Sequence, residues 1–240
     1  MMEKVKGTTG ADGPIEAQRR EVRIGALGLV GTLGLPPLPR ALVVFAHGSG
    51  SSRLSPRNRQ VAEALTQRHM ATLLFDLLLP EESEDRANVF DIPLLADRLA
   101  AALEWVDDVA ELRGLPVGLF GASTGAAAAL VAASLLGARI GAIVSRGGRP
   151  DLAGEALATV TAPTLLIVGG DDTQVIELNR AALARLGGEK AMVLVPGATH
   201  LFSEPGALAA VTAAAGAWFE RHLIHGHGGQ PAVEPRRAGG

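Results

Sequence analysis

The stretch Val117-Gly118-Leu119-Phe120-Gly121-Ala122-Ser123-Thr124-Gly125 decides the fold of this chain. Its first four residues form an apolar run that is typical of a buried strand, and the alanine-rich segment after Thr124 is typical of a buried helix. The small residues on both sides of Ser123 permit a sharp turn between the two elements. The pattern therefore predicts a strand-to-helix turn that lifts the Ser123 hydroxyl above the end of a sheet.

Similar apolar runs recur along the chain on both sides of this turn. They predict further strands that are buried on both faces, at residues 41–46, 71–75, 140–144, 164–168 and 191–195. Helical patterns separate most of these strands, and the clearest cover residues 56–68, 92–109, 124–136, 175–186 and 208–222. This alternation predicts an α/β fold with a mostly parallel central sheet and helices on both faces.

The outer parts of the chain predict one domain with short extensions. Residues 21–27 and 29–35 are expected to form an antiparallel pair at a sheet edge. We expect a flexible leader over residues 1–20, a domain over 21–223 and a flexible tail over 224–240, because periodicity is absent at both ends. The connection between residues 144 and 164 is too short for a lid domain.

Composition excludes several classes of partner. The formal net charge of -3 gives no electrostatic footprint for nucleic acid or for an anionic membrane surface. The chain has no cysteine, so it has no disulfide and no thiolate nucleophile, and we expect it to work in the cytoplasm. A small molecule is the expected partner.

Two loops are expected to complete a reaction centre around Ser123, the candidate nucleophile. The segment His47-Gly48-Ser49-Gly50 follows a predicted strand, where a backbone N–H can stabilise a developing oxyanion. We assign the two donors of this oxyanion hole to the N–H groups of Ser49 and Thr124. His47 is predicted to be structural because it precedes the serine, whereas a G-x-S-x-G turn between a strand and a helix is typically followed along the chain by the acid and then the histidine.

The acid and the base are expected after later strands. Gly169-Gly170-Asp171-Asp172 offers two carboxylates, of which Asp172 is favoured as the catalytic acid and Asp171 as the cap of the next helix. His200 follows the last strand and is the candidate base. The histidines at 222, 225 and 227 lack a partner carboxylate and a rigid scaffold, so no metal is predicted.

Taken together, these motifs resemble the dienelactone-hydrolase-like branch of the α/β-hydrolases. The residues that carry the resemblance are His47-Gly48-Ser49-Gly50-Ser51-Ser52, Leu54-Ser55-Pro56-Arg57-Asn58, Gly121-Ala122-Ser123-Thr124-Gly125 and Val144-Ser145-Arg146-Gly147-Gly148-Arg149-Pro150-Asp151. The resemblance implies an α/β-hydrolase fold without a lid domain, and a Ser123–His200–Asp172 triad that needs no cofactor. Dienelactone hydrolases use a cysteine nucleophile, and the serine of this chain points instead to carboxylic esters.

Other activities of the same triad remain open, namely those of a thioesterase, a lactonase, and an amidase or carbamate hydrolase. A different class is a non-catalytic protein of this fold that binds a small ligand. A triad with every member present favours the enzyme.

Four arginines are expected at the mouth of the site: Arg53, Arg57, Arg146 and Arg149. Arg53, Arg146 and Arg149 are the candidates for substrate binding, since guanidinium groups hold carboxylates and phosphates through paired hydrogen bonds. The alternative is internal pairing with nearby acidic residues, which are Asp76, Glu81, Glu82 and Asp151.

Overall fold

The computed structural model describes residues 15–226. Most of the predicted leader and tail lies outside the described residues. The first strand begins at Gln18, three residues before the expected start of the domain, and the backbone N–H of Ile15 already donates a hydrogen bond to the Gln67 side chain, 2.8 Å long. The folded part therefore extends further toward the amino terminus than the polar composition predicted.

The described residues form one eight-stranded sheet in the order β1-β2-β4-β3-β5-β6-β7-β8. Its strands are β1 Gln18–Ile24, β2 Leu29–Leu35, β3 Ala41–Ala46, β4 Met70–Phe75, β5 Val117–Ala122, β6 Ile140–Arg146, β7 Thr164–Gly169 and β8 Lys190–Val195. β1, β2 and β4 pair antiparallel, and all the other neighbours pair parallel. The predicted edge pair and the mostly parallel sheet are confirmed.

Helices cover both faces of this sheet, as predicted. They are α1 Pro56–Thr66, α2 Pro80–Ser83, α3 Arg86–Val89, α4 Ile92–Asp108, α5 Thr124–Leu136, α6 Thr173–Arg185 and α7 Ala207–Phe219. Helices α4 and α5 pack on one face, and α1 and α7 on the other. The Ser55 and Asp91 side chains accept hydrogen bonds from the first turns of α1 and α4, which fixes where these helices begin.

Helix α5 lies against the sheet at very close range. The side chains of its first two turns are small and buried, and most of them are alanine. Two glycines make the approach possible, since a Cβ atom on Gly121 would collide with the Ala126 backbone, and one on Gly125 with the Ala46 carbonyl oxygen. This packing sets the position of Ser123, which stands between β5 and α5.

Several short elements have no counterpart in the prediction. Helices α2 and α3 follow β4, the 3-10 helix Pro150–Thr159 connects β6 to β7, and the π-helix Glu220–His225 extends α7. The 3-10 helix packs against α5 and α6 and bends at Gly154. Within residues 15–226, no helix is both long and apolar enough to cross a membrane.

Candidate active site

Ser123 occupies a strained turn at the carboxyl end of β5. Its backbone has φ 51° and ψ -122°, a conformation that costs a non-glycine residue roughly 1–3 kcal/mol. Backbone hydrogen bonds to neighbouring residues hold Ser123 in this conformation. The Ser123 N–H donates to the Arg146 carbonyl (3.3 Å), and the Ser123 carbonyl accepts from the N–H groups of Ala126 (3.1 Å) and Arg149 (3.0 Å). The hydroxyl makes no capping bond to α5.

The structure brings Asp172 and His200 together. Asp172 follows β7 and His200 follows β8, and Asp172 Oδ2 lies 2.8 Å from His200 Nδ1. The Asp172 side chain is 15% exposed and that of His200 is 39% exposed, so the carboxylate is sheltered while the imidazole reaches the surface. An Nδ1–H donated to Asp172 leaves Nε2 free to accept a proton.

Asp171 has a different environment from its neighbour. It is exposed, and its backbone N–H donates to the Ala198 carbonyl (3.0 Å). The cap residue of α6 is Asp172, which makes no side-chain capping bond, so the expectation that Asp171 caps this helix is wrong. The Asp172 carboxylate is directed to His200 instead of the helix.

The loop after β6 connects the two halves of the candidate site. The Arg146 carbonyl accepts from the Ser123 N–H, and the next residue, Gly147, packs directly on the loop that carries His200. A Cβ atom on Gly147 would stand 3.1 Å from the His200 carbonyl oxygen and 3.6 Å from its Nδ1. His200 and Ser123 are therefore held against the same short segment.

The loop expected to supply an oxyanion donor lies directly beside Ser123. A Cβ atom on Gly48 would be 2.8 Å from Ser123 Cβ. The Ser49 N–H donates to the Thr124 Oγ1 hydroxyl over 2.9 Å, and Thr124 is almost fully buried. The two predicted donor residues thus lie next to each other, and the Thr124 side chain already accepts a hydrogen bond from the Ser49 N–H.

His47 is tied into the backbone through both ring nitrogens. Nδ1 lies 3.0 Å from the Gly48 carbonyl oxygen, and Nε2 accepts a hydrogen bond from the Leu77 N–H over 3.1 Å. Burial lowers the pKa of His47, and the Gly48 carbonyl and the Asp76 charge oppose that shift only in part. A neutral imidazole that bridges two loops is a structural element, as the sequence predicted.

A cavity of about 570 Å³ opens beside Ser49 and Thr124. Apolar side chains from β2, α3, α4 and the segment after β4 form much of its wall: Leu29, Val30, Leu77, Leu78, Leu79, Val89 and Leu95. The sequence signal for this wall is the run Leu77-Leu78-Leu79, which begins two residues after the end of β4. The volume is within the range of small-molecule binding sites.

Two of the candidate substrate-binding arginines form internal ion pairs. Arg53 Nη1 lies 2.7 Å from Asp76 Oδ2, and Arg53 Nη2 lies 3.3 Å from Glu21. Arg149 binds Asp151 through two parallel bonds of 2.9 Å and 2.8 Å, and this carboxylate raises the pKa of Arg149. For these two arginines, the internal-pairing alternative describes the structure.

Arg146 and Arg57 form no ion pair within residues 15–226, unlike the other two arginines. Arg146 is 8% exposed, and its Nε and Nη1 atoms are buried without a hydrogen-bond partner among these residues, as are the Nε atoms of Arg57 and Arg53. The Arg146 guanidinium carbon lies 6.0 Å from the centre of the Phe202 ring.

The histidines near the carboxyl end form no metal cluster in the described part of the chain, where no group of three or more potential ligands occurs. His222 instead packs against Trp218, with ring centres 4.3 Å apart and ring planes tilted by 55°. His227 lies outside the described residues.

Comparison with known proteins places this chain among the α/β hydrolases. Residues 39–214 match the family model described as an alpha/beta hydrolase domain. A solved dienelactone hydrolase from Anabaena variabilis is 51% identical, with a TM-score of 0.82 over 88% of this chain and 100% of that chain. Est1E from Butyrivibrio proteoclasticus shares the fold at 17% identity, with a TM-score of 0.71 over 85% of this chain and 98% of that chain.

Curated relatives occur in two strains of Mycobacterium tuberculosis. Each is 56% identical to this chain over 213 residues, which is 89% of this chain and 48% of the relative. Both carry the name "Putative phosphoribosyl transferase". The chain therefore spans about half the length of the curated relatives it matches.

Proposed function

Because this chain belongs to the α/β-hydrolase family, in its dienelactone-hydrolase-like branch, we propose that it is a serine hydrolase of carboxylic esters. Ser123 is the nucleophile, His200 the general base and Asp172 the residue that orients it. The observation that carries the proposal is the 2.8 Å contact between Asp172 and His200. It lies at the carboxyl ends of the strands, where Ser123 occupies a strained turn.

The first half of the reaction forms an acyl-enzyme. His200 Nε2 takes the Ser123 hydroxyl proton while Oγ attacks the ester carbonyl carbon, and the carbonyl oxygen becomes an oxyanion. As the tetrahedral intermediate collapses, the bond to the alkoxy oxygen breaks, and the alcohol leaves with the proton from His200. Asp172 stabilises the imidazolium throughout and stays ionised.

The second half releases the acid. A water molecule gives a proton to His200 Nε2 and attacks the acyl carbon, so that a second oxyanion forms. Its collapse breaks the bond to Ser123 Oγ, which recovers the proton from His200. The cycle consumes one water and leaves the protein unchanged, so these side chains need no cofactor.

The N–H groups of Ser49 and Thr124 are the proposed oxyanion donors. The Thr124 N–H lies at the amino terminus of α5, where the helix dipole favours negative charge. The Ser49 N–H is held by Thr124 Oγ1, so the substrate oxygen takes over or shares this donor when it arrives. Each such donor contributes roughly 3–4 kcal/mol to transition-state stabilisation.

Substrate scope follows from the cavity beside these donors. Its leucine-rich wall accommodates an apolar group of the ester. The volume of about 570 Å³ fits a substrate that is a small molecule. Thioesters and lactones undergo the same acyl transfer and are variants of this proposal. The expected place of action is the cytoplasm.

The names of the relatives support this proposal to different degrees. The dienelactone hydrolase matches over its whole solved chain, and its name denotes hydrolysis of a cyclic ester. The transferase name belongs to proteins of which this chain matches 48%, so it does not say which part of them performs the transfer. The hydrolase proposal rests on the geometry of this site.

A fluorophosphonate probe tests the proposal directly. It should label the wild-type protein at Ser123, and Ser123→Ala should lose both labelling and p-nitrophenyl acetate hydrolysis. The matched control is Ser203→Ala, which removes an exposed serine three residues after His200 and should keep both. Hydrolysis that persists in Ser123→Ala would refute the assignment.

A further inference from the structure

Asn179 is a fully buried polar residue of α6, with 0% exposure. Its Nδ2 atom donates two hydrogen bonds, one to the Val175 carbonyl in the preceding turn (2.8 Å) and one to the Gly148 carbonyl in the loop after β6 (3.0 Å). Its Oδ1 atom is buried without a partner among the described residues, which costs free energy. The stability of α6 alone would favour a leucine of similar size here, whereas the bond to Gly148 requires a side-chain donor.

Gly148 occupies a place with no room for a side chain. A Cβ atom on Gly148 would collide with Ser145 Oγ in β6, and it would stand 2.6 Å from the Cβ atom of Ala126 in α5. Gly148 is therefore held between the end of β6 and the first turn of α5, the helix that follows the candidate nucleophile. The bond from Asn179 joins α6 to this confined point of the loop.

The two neighbours of Gly148 contact both of the candidate reacting residues. The Arg149 N–H donates to the Ser123 carbonyl over 3.0 Å and so supports the strained turn. Gly147 packs on the other loop, where its Cβ atom would stand 3.1 Å from the His200 carbonyl oxygen. A displacement of this three-residue segment would therefore move His200 relative to Ser123.

Helix α6 also begins at the candidate acid. Asp172 caps this helix, and its carbonyl accepts from the Ile176 N–H over 2.9 Å, so the helix fixes the Asp172 backbone. Asn179 follows seven residues later, on the same side of the helix. Helix α6 is therefore joined to His200 through Asp172, and to Gly148 through Asn179. These two contacts hold the acid–base pair against the segment that supports the nucleophile.

We infer that Asn179 is a positioning residue for the reaction, because its hydrogen bond to Gly148 sets the distance and angle between Ser123 and His200. This inference rests on the proposed function, since it concerns the transfer of the Ser123 proton to His200. Both hydrogen bonds of Asn179 go to the carbonyls of other residues, and other parts of the described chain line the apolar cavity. Asn179 should therefore affect the chemical step and not the binding of substrate.

The first experiment measures the loop without relying on catalysis. Hydrogen exchange of backbone amides, followed by NMR, is compared between the wild type and Asn179→Leu. The Arg149 N–H should exchange about tenfold faster or more in the variant, relative to the amides of β5, which open only on global unfolding. The matched control is Thr164→Val, which removes a buried hydrogen bond of 2.9 Å to the Ala162 carbonyl at the amino end of β7. It should leave the relative exchange at Arg149 unchanged.

Kinetics then measure the effect on the reaction. Fluorophosphonate labelling to completion counts the competent sites, so that kcat is expressed per labelled Ser123. A misplacement of about 1 Å between reacting groups costs up to roughly 10²-fold in rate, so kcat for p-nitrophenyl acetate should fall about tenfold or more in Asn179→Leu. KM should stay within about twofold, and in Thr164→Val both constants should stay within about twofold.

Asn179→Ser provides the second variant and separates the two hydrogen bonds. A serine hydroxyl in a helix bonds back to the carbonyl four residues earlier, here that of Val175, and it is too short to reach Gly148 as well. This smaller change also keeps the test decisive if Asn179→Leu fails to fold. We expect faster exchange at Arg149 and a fall in kcat, as for Asn179→Leu.

Three results would overturn the inference. The first is unchanged relative exchange at Arg149 in the Asn179 variants. The second is faster exchange beside an unchanged kcat, because the bond would then hold the loop without serving the reaction. The third is an equal fall in kcat in Thr164→Val, because the loss would then follow from lower stability. If the wild type hydrolyses no ester, the proposed function fails, and exchange at Arg149 still decides whether Asn179 positions the loop.

Discussion

The two sides of Ser123 are built from different residues. On the cavity side, formed by the loop of Ser49 and the segment after β4, leucines line an open volume, and the polar groups His47 and Arg53 have partners within the protein. On the charged side, formed by the end of β6 and the loops after β7 and β8, Asp172 contacts His200, and the buried Arg146 has two guanidinium nitrogens without a partner among the described residues. The contrast favours selection by shape on the first side and charge for the proposed reaction on the second.

Asp172 on the charged side should give the largest effect. Asp172→Asn removes the carboxylate that holds the His200 tautomer, and kcat for p-nitrophenyl acetate should fall roughly 10⁴-fold. Asp171→Asn, the matched change one residue earlier, should stay within about threefold because that residue is exposed and the His200 imidazole contacts Asp172. The reverse order of the two variants would move the acid role to Asp171.

Val89 on the cavity side tests selection by shape. Val89→Trp adds an indole to the cavity wall and should lower kcat/KM for p-nitrophenyl hexanoate about tenfold relative to p-nitrophenyl acetate. Phe90→Trp enlarges the next side chain, which is 45% exposed and does not line the cavity, and it serves as the control. Equal losses on both esters would mean that the cavity does not hold the acyl chain.

His47 connects the cavity side to acid stability. His47→Gln loses backbone hydrogen bonds and should lower the free energy of unfolding at pH 7.5 by roughly 1–2 kcal/mol. Burial lowers the pKa of His47 in the folded protein, so below pH ~6.5 the unfolded chain binds a proton that the folded one does not. The wild type therefore loses stability as the pH falls.

Urea unfolding of both proteins at pH 7.5 and pH 5.5 measures this linkage. The difference between wild type and His47→Gln should shrink at the lower pH, because the variant lacks the titrating group. A difference that stays constant or grows would show that His47 is not the group responsible.

Thr124 directly follows Ser123, and its hydroxyl accepts a hydrogen bond from the Ser49 loop. Removal of this hydroxyl should have the smallest effect on activity. Thr124→Val removes the acceptor that positions the Ser49 N–H, and kcat should fall about fivefold, the equivalent of one modest hydrogen bond. Thr124→Ser keeps an acceptor and should stay close to wild type. An increase in kcat for Thr124→Val would show that the hydroxyl competes with the substrate oxygen for this donor.

Much of the fold was predictable because parallel strands that are buried on both faces appear in the sequence as apolar runs. The bounds of α5 agree with the prediction at Thr124–Leu136, since its glycine and alanine pattern is unmistakable. Helices α2 and α3 were missed, because four residues are too few for a helical period to show. The 3-10 helix after β6 was missed for a related reason, as its bend at Gly154 interrupts any regular pattern.

The order of the candidate site residues along the chain could be predicted from the sequence. The partner of each arginine was harder to predict. The positions after strand ends placed Ser123, Asp172 and His200 at one edge of the sheet, and the structure brings Asp172 next to His200. The partner of Arg53 is a carboxylate 23 residues away, so it depends on how β3 and β4 pack side by side. The state of Arg146 depends on its burial and on the charge of Arg57, and no local sequence pattern encodes either.

If Ser123 is the nucleophile as proposed, its positive φ sets heat resistance against activity. Glycine adopts this backbone conformation with little strain, so Ser123→Gly should relieve part of the roughly 1–3 kcal/mol stored at the turn while it removes the proposed nucleophile. A laboratory selection for thermal tolerance alone would then favour that substitution and yield a protein without the proposed activity. Any programme of directed evolution on this scaffold therefore needs a turnover readout beside its melting curve.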